Sequence, residues 1–554
     1  MEDSRTEERK NFMKPTFADP LKKREQFAVS LRKQKTSEII NAKRRKIMGA
    51  QSGKDDFGSS GSYKGNPEFE AHPDELARQV QLICPEIYNE AKNQPIATKI
   101  QILFNKLITD NLDNKQQLVV MTQVRRMISG TDEPPIAEIL GQTSILNVIS
   151  TVFRFQDTSE DIKYMKMESL WALTNLVFGS NEVIAPIFDP QHFFLQSINT
   201  FMKSDSQAMV DQCLWFIGNA IADSLQIRDM VLQNTDLILL MKEMIKAHRI
   251  SRVCLKNMVW VCSNIFRLKN IDDSYILDCL PIANAGLFCD DADINSDALW
   301  TLSYMADTKT DALINDIASD EVVGRVCQFM GEKDLSIFVP ALRCMGNILT
   351  TDNHAIIDKC LWHQVLDRLS HMLFSSNSNV IKECCWALSN IAAGTQLHIQ
   401  RMVESEAFAR ILNLAHSKNI DNKKEALWVI CNSITGADPY LRTEIVTKGA
   451  NEMISGMVKG CYCTDPRLLS NILEAIEEIL NLDEFNSWKA TEKSVAFMFE
   501  KNSGLDALEE LQKNPNKDVY DKSMQILTKY FELEESMDSQ QVNNGMENRG
   551  MFNI

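Results

Sequence analysis

The sequence contains no apolar run of 18 residues, so no segment is expected to cross a bilayer as a helix. Its first residues are charged and lack the apolar core of a secretory signal, so none is expected there. Histidine is scarce, with eight in 554 residues (72, 192, 248, 354, 363, 371, 398 and 416), and they form no metal-ligand pair. No phosphate-cradling glycine loop and no nucleophile elbow occurs. Catalysis, a metal and a cofactor are therefore not expected. The 14 cysteines are scattered through apolar stretches, and "CC" at 384–385 and "CYC" at 461–463 have no second cluster at ligand spacing. They read as buried thiols of a reducing compartment. Strand-like alternation persists nowhere.

At this length the chain exceeds one conventional core, so it holds several domains or a repeat array. The net charge is −16 and the pI about 5.1, which suits a basic partner better than direct contact with nucleic acid. The charge is unevenly spread. Between residues 22 and 46 stand Lys22, Lys23, Arg24, Arg32, Lys33, Lys35, Lys43, Arg44, Arg45 and Lys46 against Glu25 and Glu38. That segment carries +8, which leaves −24 on the rest. It has good helix formers and no interior Gly or Pro up to residue 48, with Phe27 and Leu31 one turn apart. Too little of it is apolar to bury a core alone, so it is expected to fold against a partner. Residues 50–76 read as a flexible Gly/Ser-rich linker and 535–554 as a disordered tail. From 77 to 534 the pattern is helical, punctuated by Gly, Asn, Asp and Pro.

Within that region one motif recurs. Six of the eight Trp lie in related stretches: "ESLWALTN" (168–175), "QCLWFIGN" (212–219), "NMVWVCSN" (257–264), "DALWTLSY" (297–304), "ECCWALSN" (383–390) and "EALWVICN" (425–432). A seventh copy, "PALRCMGN" (340–347), has Arg343 in the Trp place. Successive spacings of that place are 44, 45, 40, 43, 43 and 42 residues. A period in this range in an all-helical chain predicts an all-α solenoid of the HEAT or armadillo kind.

Trp and Asn four apart share one helix face. The spacers, such as Ala172, Leu173 and Leu176, are expected to pack between layers. Six such amides in a dry core would be costly, so the Asn are expected to serve a ligand. Equivalent helices of a solenoid stack ~10 Å apart, a distance that an extended peptide covers in about three residues. Asn can donate to a peptide carbonyl and accept from its N–H without reading its side chains. Parallel Trp faces make slots for Lys or Arg stems, with cation–π attraction of about 0.5–2 kcal/mol. Three residues before each Trp stand Glu168, Gln212, Asn257, Asp297, Glu383 and Glu425, expected to meet the cationic heads.

These features resemble the importin alpha family, adaptors that carry nuclear localisation signals. "KKREQFAVSLRKQKTSEIINAKRRK" is similar to that family's importin-beta-binding segment, here placed at 1–49. "DALWTLSYMAD" (297–307) is similar to its fifth repeat, "PALRCMGNILT" (340–350) to its sixth, and 504–531 to its last. The resemblance implies a right-handed superhelical solenoid of about ten armadillo repeats, with the array over 77–490 and a C-terminal repeat or cap over 491–534. It implies a major peptide site at Trp171, Asn175, Gly179, Gln212, Trp215, Asn219, Asp223, Asn257, Trp260, Asn264 and Asp297, with Asp223 receiving the key lysine. It implies a minor site at Arg343, Asn347, Glu383, Trp386, Asn390, Glu425, Trp428 and Asn432. The implied partners are importin beta, cargo with one- or two-cluster basic signals, and an export receptor of the CAS type at the C-terminal repeats. The cluster at Lys43-Arg44-Arg45 would occupy the groove until importin beta takes the segment, and the protein would shuttle between cytoplasm and nucleus.

Two departures stand out. The approach to the first repeat, 97–130, is longer than the family pattern, which leaves the start of the array open. Phe178, in "VFGS", stands where the family has a small residue. The alternative is a catenin-like scaffold for extended acidic partners, whose groove should carry Lys and Arg where this face carries acids and Trp.

Overall fold

In the computed structural model the residues described are 73–531, without 90–92, 132–133, 248–249, 308–309, 418, 451–464 and 490. The proposed beta-binding segment, the linker up to residue 72 and the tail therefore lie outside the described residues, whereas residues 73–76, read as linker, instead begin the helix Pro73–Ile83 and bury Leu76. Those described are helices and connecting turns, with no strand among them. They fall into two units, one ending at Arg325 and the other beginning at Val326.

The first unit is built on a row of long helices: α1 (Asn114–Ser129), α2 (Glu160–Leu176), α3 (Gln207–Ala220), α4 (Arg252–Arg267) and α5 (Ala292–Ala306). Each packs on the one before it. The second unit repeats the scheme with α6 (Leu335–Ile348), α7 (Ser378–Ala392), α8 (Ile420–Gly436), α9 (Pro466–Leu480) and α10 (Lys517–Tyr530). Shorter helices, such as Phe194–Phe201 before α3, close each repeat from behind.

The sequence starts these helices with side chains that satisfy their free N–H groups. Asp113 makes a capping box with Gln116 at α1. Ser206, Ser251 and Asp291 accept from first-turn amides of α3, α4 and α5. Asp334, Asn377, Asn419, Asp465 and Asn516 do the same for α6 to α10. Each such cap is worth about 1 kcal/mol. Two helix ends are closed by buried arginines. Arg228 donates to the carbonyls of Ile265 and Asn270 after α4, and Arg442 to those of Ile434 and Ala437 after α8.

The spacers pack as expected: Ala172, Leu173 and Leu176 are fully buried between layers. The described cysteines are free thiols, all buried except the half-buried Cys289. Burial pushes thiols such as Cys254 up to about 12, so they pack as small apolar side chains.

The seam between helices depends on a small residue just before each Asn. A Cβ on Gly218 would fall 2.2 Å from Cζ3 of Trp260, and one on Gly346 would fall 2.2 Å from Cζ3 of Trp386. At these two steps the Trp ring of the following helix thus lies on the backbone of the preceding one. Gly218→Ala should force Trp260 off its seat and destabilise the chain by about 1–3 kcal/mol. Gly141 has nothing within 4 Å of a Cβ, so Gly141→Ala should be neutral or add about 0.5–1 kcal/mol. Urea midpoints of the two variants check the contrast.

Candidate peptide-binding ladder

In the first unit the ladder residues stand on α2 to α5, and Trp171, Trp215, Trp260 and Trp300 are all half-buried. Half-burial suits a ring with one face on the preceding helix and one edge open. Trp300 also stacks on Tyr304, one turn on, with ring centroids 5.7 Å apart.

The Asn row differs from the sequence expectation. Asn175, Asn264, Asn347, Asn390 and Asn432 are buried, and Asn219 is nearly so. The cost expected of buried amides is offset by bonds to the preceding helix. Asn175 Nδ2 donates to Ser129 Oγ at 2.8 Å, and Asn219 Nδ2 reaches the Thr174 carbonyl at 3.5 Å. Asn264 donates to the Gly218 carbonyl at 3.0 Å. In the second unit Asn390 donates to Gly346 and Asn432 to Ser389, each at 3.3 Å. Asn432 Oδ1 accepts in turn from Asn471 at 3.0 Å. The row therefore joins successive repeats whatever else it does.

Four of the six residues that stand three before a Trp bond to the preceding helix. Glu168 is fully buried and pairs with Arg125 at 2.6 Å. Gln212 is buried and donates to Thr174 Oγ1 at 2.7 Å, and Asn257 reaches the Asp211 carbonyl at 3.4 Å. Glu383 pairs with Arg343 at 2.6 Å. Sharing a face with Trp did not mean sharing its exposure, because the neighbouring helix covers that flank. Asp297 and Glu425 are half-buried.

Arg125 was not recognised as part of the ladder. It lies 46 residues before Trp171, with Ser129 four further on, so α1 is a copy with Arg in the Trp place and Ser in the Asn place. Its guanidinium stands 4.1 Å over the Trp171 ring, and Arg343 stands 5.3 Å over Trp386. In both copies a protein guanidinium sits on the next Trp and is pinned by the acid three residues before it. The second Arg copy in "PALRCMGN" was the signal that could have found the first.

One cavity of about 430 Å³ opens at the ends of α2, α3 and α4. It brings together five predicted major-site residues: Gly179, Asn219, Asp223, Trp260 and Asn264. Phe178, Glu182 and Arg267 also line it. The Asp223 side chain is 46% exposed, and its backbone carbonyl accepts from Asn181 at 3.2 Å. Arg267 is the unanticipated member. It donates to the Ala222 carbonyl and lies 3.4 Å from Asp223 Oδ1. Asp223 thus faces the cavity with a buried guanidinium at its back, a fixed carboxylate suited to a cation.

Arg343, Asn347, Glu383, Trp386, Asn390, Glu425, Trp428 and Asn432 stand on α6 to α8, with Trp386 and Trp428 half-buried like those of the first unit. The basic residues from Lys22 to Lys46 lie outside the described residues.

Asp211, on α3 one turn before Trp215, is buried and accepts from Gln207 at 3.3 Å. Burial pushes its carboxyl up to about 6, against the opposing pull of hydrogen bonds from Gln207 and Cys254. A carboxyl raised above its unfolded value contributes most while protonated, and that contribution is lost as pH rises through the folded value. Wild type should therefore lose stability relative to Asp211→Asn between pH 4 and pH 7, by on the order of 3 kcal/mol. Urea midpoints of both proteins at the two pH values check this. Parallel curves would show that Asp211 is ionised at no cost.

Comparison with known proteins agrees with the repeat architecture. Residues 359–393 match the family described as "Armadillo/beta-catenin-like repeat", and residues 493–544 match "Atypical Arm repeat". Among relatives, the chain is 29% identical over 437 residues to importin subunit alpha-1b of Oryza sativa subsp. japonica, covering 77% of this chain and 78% of that protein. It is 27% identical over 461 residues to importin subunit alpha-5 of Arabidopsis thaliana, covering 83% and 86%. Among solved structures an engineered protein aligns with a TM-score of 0.64 at 18% identity, over 78% of this chain and 98% of that one, a likeness of fold. The chain has an armadillo-repeat fold and resembles importin alpha subunits along three quarters of its length.

Proposed function

We propose that this armadillo-repeat chain is a nuclear import adaptor of the importin alpha type, a binding protein rather than an enzyme. Its first unit holds a basic localisation signal along Trp171, Trp215 and Trp260, with the key cation seated at Asp223. Its second unit offers another basic-cluster site around Trp386 and Trp428. The N-terminal segment links the loaded adaptor to importin beta, and the C-terminal repeats meet an export receptor of the CAS type. The protein then shuttles between cytoplasm and nucleus.

The observation that carries this reading is the cavity itself. Gly179, Asn219, Asp223, Trp260 and Asn264 were named as one peptide site, and they line one cavity with an exposed carboxylate. Similarity to importin alpha subunits over most of the chain supports the same function. The buried Asn row narrows the mechanism. The amides of Asn175, Asn219, Asn264, Asn390 and Asn432 are already oriented by bonds to the preceding helix, so they meet a peptide backbone pre-positioned rather than swinging free.

Asp223→Lys should weaken binding of a short one-cluster basic peptide by at least 30-fold, since losing a close charge pair costs about 2–5 kcal/mol. Fluorescence anisotropy with a labelled peptide reads this. An unchanged dissociation constant rejects the seat at Asp223, and tighter binding of an acidic peptide than of a basic one favours the catenin-like scaffold.

Deleting residues 1–49 should tighten the same basic peptide and abolish importin-beta binding. The +8 segment and the acidic array share one chain, so their contact is intramolecular and needs only modest intrinsic affinity. Cargo must displace it, which lowers apparent affinity by the fraction of grooves already occupied. Changing only Lys43, Arg44 and Arg45 to Ala should tighten cargo binding while sparing much of the importin-beta contact. Equal affinities in full-length, truncated and triple-Ala protein would mark a constitutively open adaptor.

A further inference from the structure

We propose that Phe178 makes the Asp223 cavity prefer a guanidinium over an ammonium, so that the chain selects arginine at the ligand position seated there. The proposal rests on the groove being a basic-peptide site, and it concerns which basic residue this one cavity takes.

The cavity has two aromatic walls, Phe178 from the turn after α2 and Trp260 from α4. Phe178 is 45% exposed, while its neighbour Val177 and the facing Ile184 are buried and continue the apolar wall. A Phe displayed at a cavity wall leaves its ring available to what enters.

The charged groups set what that is. Glu182, Asp223 and Arg267 line the cavity, two carboxylates and one guanidinium. The backbone N–H of Glu182 and the Ser180 hydroxyl hold the Glu182 carboxyl below the usual range, so it is ionised at neutral pH. The cavity therefore carries one net negative charge and accepts one ligand cation. At about 430 Å³ it admits either basic side chain, so size does not discriminate.

The walls do. An ammonium is compact and strongly hydrated, and apolar walls return none of the hydrogen bonds it gives up. A guanidinium is planar and more weakly hydrated, and it stacks on an aromatic face while its edge points at a carboxylate. The chain uses this pairing internally. Arg125 lies 4.1 Å over Trp171, Arg154 lies 4.5 Å over Phe193, and Arg410 lies 4.7 Å over Phe374. Arg125 meets its carboxylate edge-on at the same time, through Glu168. A ligand arginine between Phe178 and Asp223 would reproduce that arrangement.

The test titrates labelled hexa-arginine and hexa-lysine, at one ionic strength, into the full chain, Phe178→Ala and Phe178→Leu. Every other slot sees both peptides unchanged, so the change of their ratio on substitution reports this cavity alone. Both variants should lose about 5-fold for hexa-arginine and under about 2-fold for hexa-lysine. Leu keeps an apolar wall for a lysine stem and removes only the π face. The side chain is half outside the core, and matching melting temperatures would show both variants folded. Equal loss for the two peptides, or a Leu variant that matches wild type, overturns the selectivity while leaving the groove reading intact. Binding of neither peptide by wild type or by the chain without residues 1–49 overturns the groove reading and this proposal with it.

Discussion

Within each unit one joint recurs, at α2, α3 and α4 of the first and at α7 and α8 of the second. An Asn on one ladder helix donates to a carbonyl, or at α1 a hydroxyl, in the last turns of the preceding helix, and a Trp ring lies beside it. Where the preceding helix offers Gly218 or Gly346, the ring rests on bare backbone. In a repeat protein stability is close to a sum of unit and neighbour terms, so a joint that recurs from helix to helix adds to the cooperativity of each unit. It also fixes where each Trp edge emerges. The residues that present a surface to a ligand are the ones that hold the scaffold together.

Much of this was legible in the sequence. The 40–45 residue spacing, the shared face of Trp and Asn and the punctuation by Gly, Asn, Asp and Pro are local facts, and they led to the helices observed. Burial was less legible. Helical periodicity places Glu168 and Gln212 on the face of Trp171 and Trp215, but only the crossing of the neighbouring helix decides which flank of that face it covers. The buried Asn row was misjudged for a related reason. The expected cost assumed no partner, and the partner is a carbonyl some 44 residues away that no local pattern announces. Arg125 and Ser129 escaped notice because the search was keyed to Trp and Asn. Arg267 escaped because the face was expected to be acidic.

The arginines give the ladder internal reference points. Arg125 and Arg343 each stand on the Trp of the next helix with a carboxylate at their edge. The first pair is completely buried, so removing either partner leaves a charge without compensation, whereas the pair itself adds little over a well-packed apolar contact. Such a pair specifies register more than it adds stability. It also displays, inside the protein, the chemistry proposed for a ligand: a flat cation between an aromatic face and an acid.

The residue just before each Asn is Thr174, Gly218, Ser263, Gly346, Ser389 or Cys431, and Ser303 stands before Tyr304 in the copy that lacks the Asn, always small and never the same for long. At Gly218 and Gly346 no side chain separates the next ring from the helix backbone. This position therefore works as a shim. A hydrogen, a hydroxymethyl or a thiol there sets how far the following Trp stands off, and so the width of the slot beside it. The gauge of each slot can then differ from repeat to repeat through one inward-facing residue, at steps where the two helices have settled around its size.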